Sequence, residues 1–316
     1  MQLNELALRR CQPLVERPEE FRVAVIRTPA GTRLIDCGVE SPGGLACGRV
    51  LVEVCMAGLG RVAVVPSDPA VWPGWAIQVD TDHPLLACMA SQYAGWQIAE
   101  SGFFAMGSGP MRAAYGGEDL FSHIEGRETA DQVVGILECG QLPPAPICQW
   151  IAEKCGVAPD RLTLLVAPTA SLAGCIQVVA RTVETCLHKM HALGWDLSCV
   201  QAGAGVAPLP PLAADDLSGI GRTNDAVLYG GEVTLWVDCD DDWLREQGPR
   251  VPSNASNDHG EPFGKIFARY EHDFYRIDPL LFSPARVTLI NRGSGRSHRF
   301  GELAPAVLRE SFIEAT

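Results

Sequence analysis

The stretch SLAGCIQVVARTVETCLHKMHAL, residues 171–193, reads as a single helix of about six turns, with Thr169 or Ser171 as a fitting N-cap. With successive residues advancing by roughly 100°, Gln177, Arg181, Glu184, His188 and His191 fall within about a quarter of the circumference. Nearly everything else in the run is apolar or small, from Ile176 and Val178 to Cys186 and Leu187. A surface helix has a broad polar face and an apolar stripe turned inward. Here the proportions are reversed, which predicts a helix packed on most sides with its polar stripe facing a cavity or a polar partner.

Within that stripe, Arg181 and Glu184 stand i,i+3. On an exposed helix such a pair contributes only about 0.2–0.5 kcal/mol. In a buried helix it costs several kcal/mol per ion to desolvate, so stability explains it poorly and a site explains it better. Glu184, His188 and His191 admit a second reading as ligands of a metal-dependent amidohydrolase, since their spacing puts them on one face. The order is not H-E-x-x-H, however, and Arg181 on the same stripe would repel a cation.

Working outward, LTLLVAP (162–168) just before this helix is a buried strand, and QVVGILEC (132–139) alternates like another. FRVAVI (21–26) and TRLIDCG (32–38) are strands joined by a Pro-Ala-Gly turn, and RVAVV (61–65) and WAIQVDT (75–81) bracket a proline-rich loop. Residues 2–17, 148–155, 262–270 and 304–313 read as helices; RVLVEVCMAG (49–58) could be helix or strand. Helix-start grammar at Asp82-His83-Pro84 predicts a helix running on through LLACMASQYAGWQIAE. AGAGVAPLPPLAADD (202–216) reads as a loop, and AVLY-Gly-Gly-EVTLWVD (226–238) and ARVTLIN-RGSG-RSHRFGEL (285–303) as hairpins. The interleaving defines a mixed α/β protein, read as two domains, 1–142 and 143–316, the second carrying the central helix.

With 316 residues, 47% of them hydrophobic and 20% charged, the chain has the composition of a globular protein. A formal charge of −13 without any basic cluster excludes nucleic acid as a partner. The twelve cysteines form no C-x-x-C and several sit in apolar runs, so they read as free thiols of a reducing compartment. The N-terminus lacks the h-region of a secretory signal, and no apolar run is long enough to span a membrane. The expectation is a soluble, cytoplasmic protein.

Other clusters could contact a ligand. Gly107-Ser108-Gly109, opening a helix at Pro110, could offer backbone N–H groups to an anion or carbonyl, or simply be a tight turn. Asp80, Asp82 and His83 form a polar knot at a strand-to-helix junction, where Asp82 equally serves as a cap. Arg222, Asn224 and Asp225 could read the edge of a heterocycle, although turns use the same residues. No G-x-S-x-G nucleophile elbow is present.

Taken in order, IDCGVESPGG (35–44), VEVCMAGL (52–59), QVDTDHP (78–84), QYAGWQI (92–98), FFAMGSGP (103–110), LLVAPTAS (164–171), ARTVET (180–185), GRTNDAVLYGG (221–231), GEPFGKIF (260–267) and HDFYRIDPLLFSPARV (272–287) resemble the methenyltetrahydromethanopterin cyclohydrolase family over most of the chain. The resemblance implies two α/β domains with a substrate pocket between them, assembled as a homotrimer. It implies reversible hydrolysis of the cyclic amidinium of 5,10-methenyl-tetrahydromethanopterin to the 5-formyl derivative, with no metal and no redox cofactor. The reaction belongs to one-carbon metabolism, in methanogenesis and in formaldehyde oxidation. The family's catalytic R-x-x-E maps onto Arg181 and Glu184, leaving Gln177 and His188 as supporting or pterin-facing residues. Tyr93 departs from archaeal members, which often carry lysine there, and this bears on which pterin tail is accepted. A non-catalytic pterin-binding protein is the alternative outside the enzymes.

Overall fold

The structure is a computed structural model describing residues 1–314. Twelve strands occur among the described residues: β1 (Ala24–Arg27), β2 (Arg33–Asp36), β3 (Gly60–Pro66), β4 (Trp75–Thr81), β5 (Trp96–Glu100), β6 (Phe103–Ser108), β7 (Val133–Glu138), β8 (Leu162–Ala167), β9 (Val200–Pro208), β10 (Glu232–Val237), β11 (Arg286–Asn291) and β12 (Ser297–Gly301). They form two six-stranded sheets, ordered β1-β2-β8-β7-β6-β5 and β12-β11-β10-β9-β4-β3. The chain is mixed α/β. It divides into two compact units, each discontinuous: residues 1–61 with 85–177, and 62–84 with 178 onward. Position 142, the expected boundary, lies inside the first unit.

In the first unit β2, β8 and β7 run parallel, and β1, β6 and β5 extend this centre antiparallel. A parallel centre is covered on both faces, so its strands are continuous apolar runs rather than alternating ones. VVGILE and LTLLVA have that form, and every residue of β8 is buried. The Leu3–Glu16 helix buries Leu3, Ala7, Cys11 and Leu14, a stripe at helical spacing. Its first N–H groups, on Leu3 and Asn4, donate to the Glu128 carboxylate at 2.7 Å, so a distant side chain caps this helix. RVLVEVC resolves as helix, within Leu45–Cys55.

One expectation fails here. WQIAE and FFAMGS form an antiparallel strand pair, β5 and β6. The helix expected to run through WQIAE stops at Gln92. That segment, Leu85–Gln92, is π-helical, with Tyr93 N–H reaching back to Cys88 O at 2.8 Å.

In the second unit β10 and β11 pair in parallel, and β9 lies antiparallel to both β10 and β4. VQAGAGVAP is therefore an interior strand and not a loop. Its small residues have a packing cause: a Cβ added to Gly203 would stand 2.8 Å from Val183 Cγ1, and one on Gly205 3.2 Å from Thr182 Cβ. The Thr182–Ala192 helix lies so close to this strand that side chains are excluded. GRTNDAVLYG is likewise no hairpin arm. It belongs to a helix, Asp216–Gly230, capped by Asp215, whose carboxylate accepts from Ser218 N–H at 2.8 Å. The expected hairpin β11–β12 forms. Among the described residues no helix is long and apolar enough to cross a membrane. All twelve cysteines are unbridged.

Candidate active site

The stretch 171–193 is not one helix. Ser171 Oγ accepts from Gly174 N–H at 3.0 Å and starts a first helix, Leu172–Val179; a second, Thr182–Ala192, follows a break at Ala180–Arg181. The cause lies in the hydroxyls. Thr182 Oγ1 donates to Val179 O at 2.8 Å, a carbonyl that a continuous helix would give to Val183 N–H. Arg181 becomes the N-cap residue, with φ −80° and ψ 9°, and its carbonyl accepts from Thr185 N–H at 2.8 Å.

The break, together with the unit boundary at 177/178 just before it, divides the predicted stripe. Gln177 stays with the first unit; Arg181, Glu184, His188 and His191 belong to the second. It also places Glu184 in the first turn of its helix, where the partial positive charge of free N–H groups favours a carboxylate. Arg181 Nη1 stands 3.7 Å from Glu184 Oε2, and the two residues are only 7% and 4% exposed. The expected buried ion pair is thus present, at a helix start rather than mid-helix. His188 and His191 are half-buried on the same helix. Among the described residues no group of three His, Cys, Asp or Glu side chains is placed to hold a metal ion.

In the first unit Gln177 is 1% exposed. Its Nε2 donates to Glu138 Oε1 at 3.2 Å and lies 3.7 Å from Cys55 Sγ, while Oε1 is a buried acceptor without a partner. Cys55 Sγ in turn donates to Ser108 Oγ at 3.4 Å. Gln177 and Ser108 are therefore brought to one buried polar cluster, with Glu138 at the C-terminal end of β7. Gly107 and Ser108 end strand β6 and are not loop residues. Gly109 has φ +85°, which a side chain rarely adopts, but its N–H is spent on Ser91 O at 2.8 Å. It is not available to an anion, as the loop reading expected. Tyr93 lies over the guanidinium of Arg112, 4.9 Å from ring centroid to Cζ.

The remaining residues belong to the second unit. Asp80 and Asp82 are exposed at the end of β4, where Thr81 Oγ1, and not Asp82, accepts from His83 N–H at 3.0 Å. Asp82 lines a cavity of about 440 Å³ with Gln201, Ala202, Trp236 and Arg292. Arg222, Asn224 and Asp225, read either as contacts to a heterocycle or as turn residues, lie on the Asp216–Gly230 helix and bond to the chain itself. Arg222 Nη1 donates to Leu212 O at 2.9 Å, and Asn224 Nδ2 to Ile220 O at 2.8 Å. Asp225 accepts from Phe263 N–H at 2.7 Å and Ser311 Oγ at 2.6 Å. Its role is to lock two neighbouring segments together.

Burial pushes the Asp225 carboxyl up to about 7, against the lowering effect of those two hydrogen bonds. An acid whose pKa is raised on folding holds its proton in the native state after the unfolded chain, titrating near ~3.9, has lost it. Stability therefore falls as pH rises from about 4 to about 7, and this loss is complete above the native value. Asp225→Asn keeps an acceptor for Phe263 and should flatten that slope. Melting temperatures of both proteins across this range would show it; parallel curves would refute it.

Buried charges outside the predicted set are the residues that sequence reasoning missed. Arg112, fully buried, forms a bidentate pair with Glu118 at 2.7 and 2.6 Å. Lys189, 1% exposed on the helix of Glu184, donates to Leu280 O, and burial lowers its pKa to about 8 against the opposing pull of Asp278. Neither has a partner within a helical turn, the only ion-pair spacing visible in a sequence.

The family model described as Cyclohydrolase (MCH) matches residues 2–312. The chain belongs to this cyclohydrolase family. Among its relatives, a methenyltetrahydromethanopterin cyclohydrolase of Methylobacterium sp. (strain 4-46) is 45% identical, over 98% of this chain and 97% of the relative. Proteins of the same name from Rhodopirellula baltica and Methanospirillum hungatei are 47% and 41% identical, over 90% and 98% of this chain and 87% and 98% of their own. Cyclohydrolase family members of bacteria and archaea are thus matched almost end to end.

Proposed function

We propose that this chain hydrolyses the cyclic amidinium of 5,10-methenyl-tetrahydromethanopterin to 5-formyl-tetrahydromethanopterin, reversibly, with Glu184 as general base and Arg181 as its electrostatic partner. The observation that supports these roles is the buried Arg181–Glu184 pair at a helix start, 3.7 Å apart. The substrate carbon shares a positive charge over an N–C–N unit and is already electrophilic, so water needs only a positioned base. Glu184 takes one proton from water as the C–O bond forms. That proton passes to N10 as the C–N10 bond breaks, and the adduct hydroxyl loses its own proton to solvent as the formyl carbonyl appears. Arg181 keeps the carboxylate ionised and oriented and donates to the developing oxygen. Gln177, His188, Tyr93, Ser108 and Asp82 remain candidates for contacts to the pterin.

Mixing the purified protein with the methenyl compound and following loss of its chromophore tests the reading. A silent binding protein would bind the ligand without changing it, and methenyl-tetrahydrofolate in parallel tests pterin specificity. No step here requires a Lewis acid, so activity is expected to survive exhaustive chelation. Loss on chelation with recovery on adding zinc would overturn that. We further propose a cytoplasmic homotrimer serving one-carbon metabolism, in formaldehyde oxidation or methanogenesis; light scattering of the native protein would test the assembly.

A further inference from the structure

In the first unit strand β7 ends on a carboxylate. β7 and β8 are parallel neighbours, and their last residues, Glu138 and Ala167, stand opposite each other. Side chains of a strand alternate between its two faces. Val133 and Leu137 enter one buried apolar cluster, Val134 and Ile136 the other, and Glu138 is the next position on that second face. The helices that follow the two strands also part. Ala145–Lys154, after β7, packs Ile147 and Ile151 into the cluster of Leu137; Leu172–Val179, after β8, packs Ala173 into the cluster of Val134 and Ile136. Adjacent parallel strands whose helices leave to opposite faces open a crevice outside their carboxyl ends, where open α/β sheets bind ligands. Glu138 stands half-buried at that edge.

Gln177, on the Leu172–Val179 helix, donates from Nε2 to Glu138 Oε1 at 3.2 Å. It is 1% exposed, and its own Oε1 is buried with no hydrogen-bond partner. A buried acceptor left unmade is destabilising, so stability explains this amide poorly. Turning the amide over would set its oxygen against the carboxylate. Its donor is therefore held towards Glu138, and what it fixes is the direction of a carboxylate at the end of a parallel strand.

We propose that Glu138 is the residue of the first unit that reads the pterin ring, with Gln177 as its positioning residue; this rests on the substrate being the methenyl pterin proposed above. The aminopyrimidinone end of a pterin presents two adjacent donors, N3–H and the 2-amino group. A carboxylate offers two oxygens with about four lone-pair sites, so Glu138 accepts both donors while Oε1 keeps the Gln177 bond. Of the candidates for pterin contacts, Gln177 is too buried to touch the ring and acts through that carboxylate. The pyrimidinone end of the ring is unchanged by the reaction. Glu138 therefore binds substrate and product alike, and uniform binding of this kind shows in KM and not in kcat.

Steady-state kinetics of the full chain in both directions, hydrolysis of the methenyl compound and cyclisation of the 5-formyl compound, test this. Glu138→Gln sets a donor against a donor and should raise KM by about 10–100-fold in each direction, with kcat within a few-fold of wild type. Gln177→Leu should raise both KM values by less, and add nothing when combined with Glu138→Gln, because it acts through that residue. Glu138→Asp keeps the charge but withdraws the carboxylate by one methylene; it should show the same split, and it decides where the amide variant does not fold. An unchanged KM in a folded Glu138 variant overturns the proposal, as does a loss confined to kcat. A rise in KM for the methenyl compound alone also overturns it, since Glu138 would then answer the cationic carbon and not the ring. A wild-type protein that turns over neither compound removes the proposed activity itself, and this inference with it.

Discussion

Glu184→Gln is expected to lower turnover of methenyl-tetrahydromethanopterin by about 10²–10⁴-fold, the contribution of one positioned acid–base group, while leaving substrate binding nearly unchanged. The amide preserves the size of the side chain and an acceptor oxygen towards Arg181, but it cannot take a proton from water. An effect confined to the chemical step is the signature of a group that acts in the transition state. Single-turnover rates and titration of the methenyl chromophore separate the two quantities. Because Arg181 is only 7% exposed and loses the charge of Glu184, the variant should also melt earlier, so a native circular dichroism spectrum must accompany the rate. A folded variant within a few-fold of the wild-type rate would remove Glu184 from the role of base.

That pair was legible in the sequence because its members are three residues apart, a spacing at which any helix brings side chains together. The break between them and Gln177 was not, since it depends on Thr182 Oγ1 choosing the Val179 carbonyl, a choice open to every helical threonine. Apolar runs such as LTLLVA were read correctly because a strand buried on both faces has one signature. VQAGAGVAP was misread because glycine and alanine signal a loop by propensity, whereas here they record the approach of Val183 and Thr182 to Gly203 and Gly205. GRTNDAVLYGG misled in the opposite sense. Its polar residues suggested a turn, yet Asp225 is satisfied by Phe263 N–H and Ser311, partners far along the chain that no local pattern announces. Local pairing and burial on both faces can be read from a single sequence. Close approach and distant polar partners cannot.

The Arg112–Glu118 pair is the strongest case of the unreadable kind, and its loss should be the largest effect on stability of any single change considered. Arg112 Nη1 donates to Met89 O at 2.9 Å and Ser91 O at 3.2 Å, in the π-helical segment where Tyr93 N–H has taken Cys88 O and passed over Met89. The guanidinium therefore supplies the donor that an unusual helix leaves missing, besides pairing with Glu118. Arg112→Met keeps the volume but strands a carboxylate that is 13% exposed, together with two carbonyls. Removing one partner of a buried pair costs about 3–5 kcal/mol. The double variant Arg112→Met, Glu118→Met should recover a large part of that loss, because the stranded charge goes with it; the remaining deficit reports the unpaired carbonyls. Denaturant midpoints of the transition that melts the first unit give the comparison. If the single variant lies within about 1 kcal/mol of wild type, or the double variant is less stable than the single, then charge pairing does not hold this segment, and packing around the Tyr93 and Phe121 rings that flank the Arg112 guanidinium must do so instead.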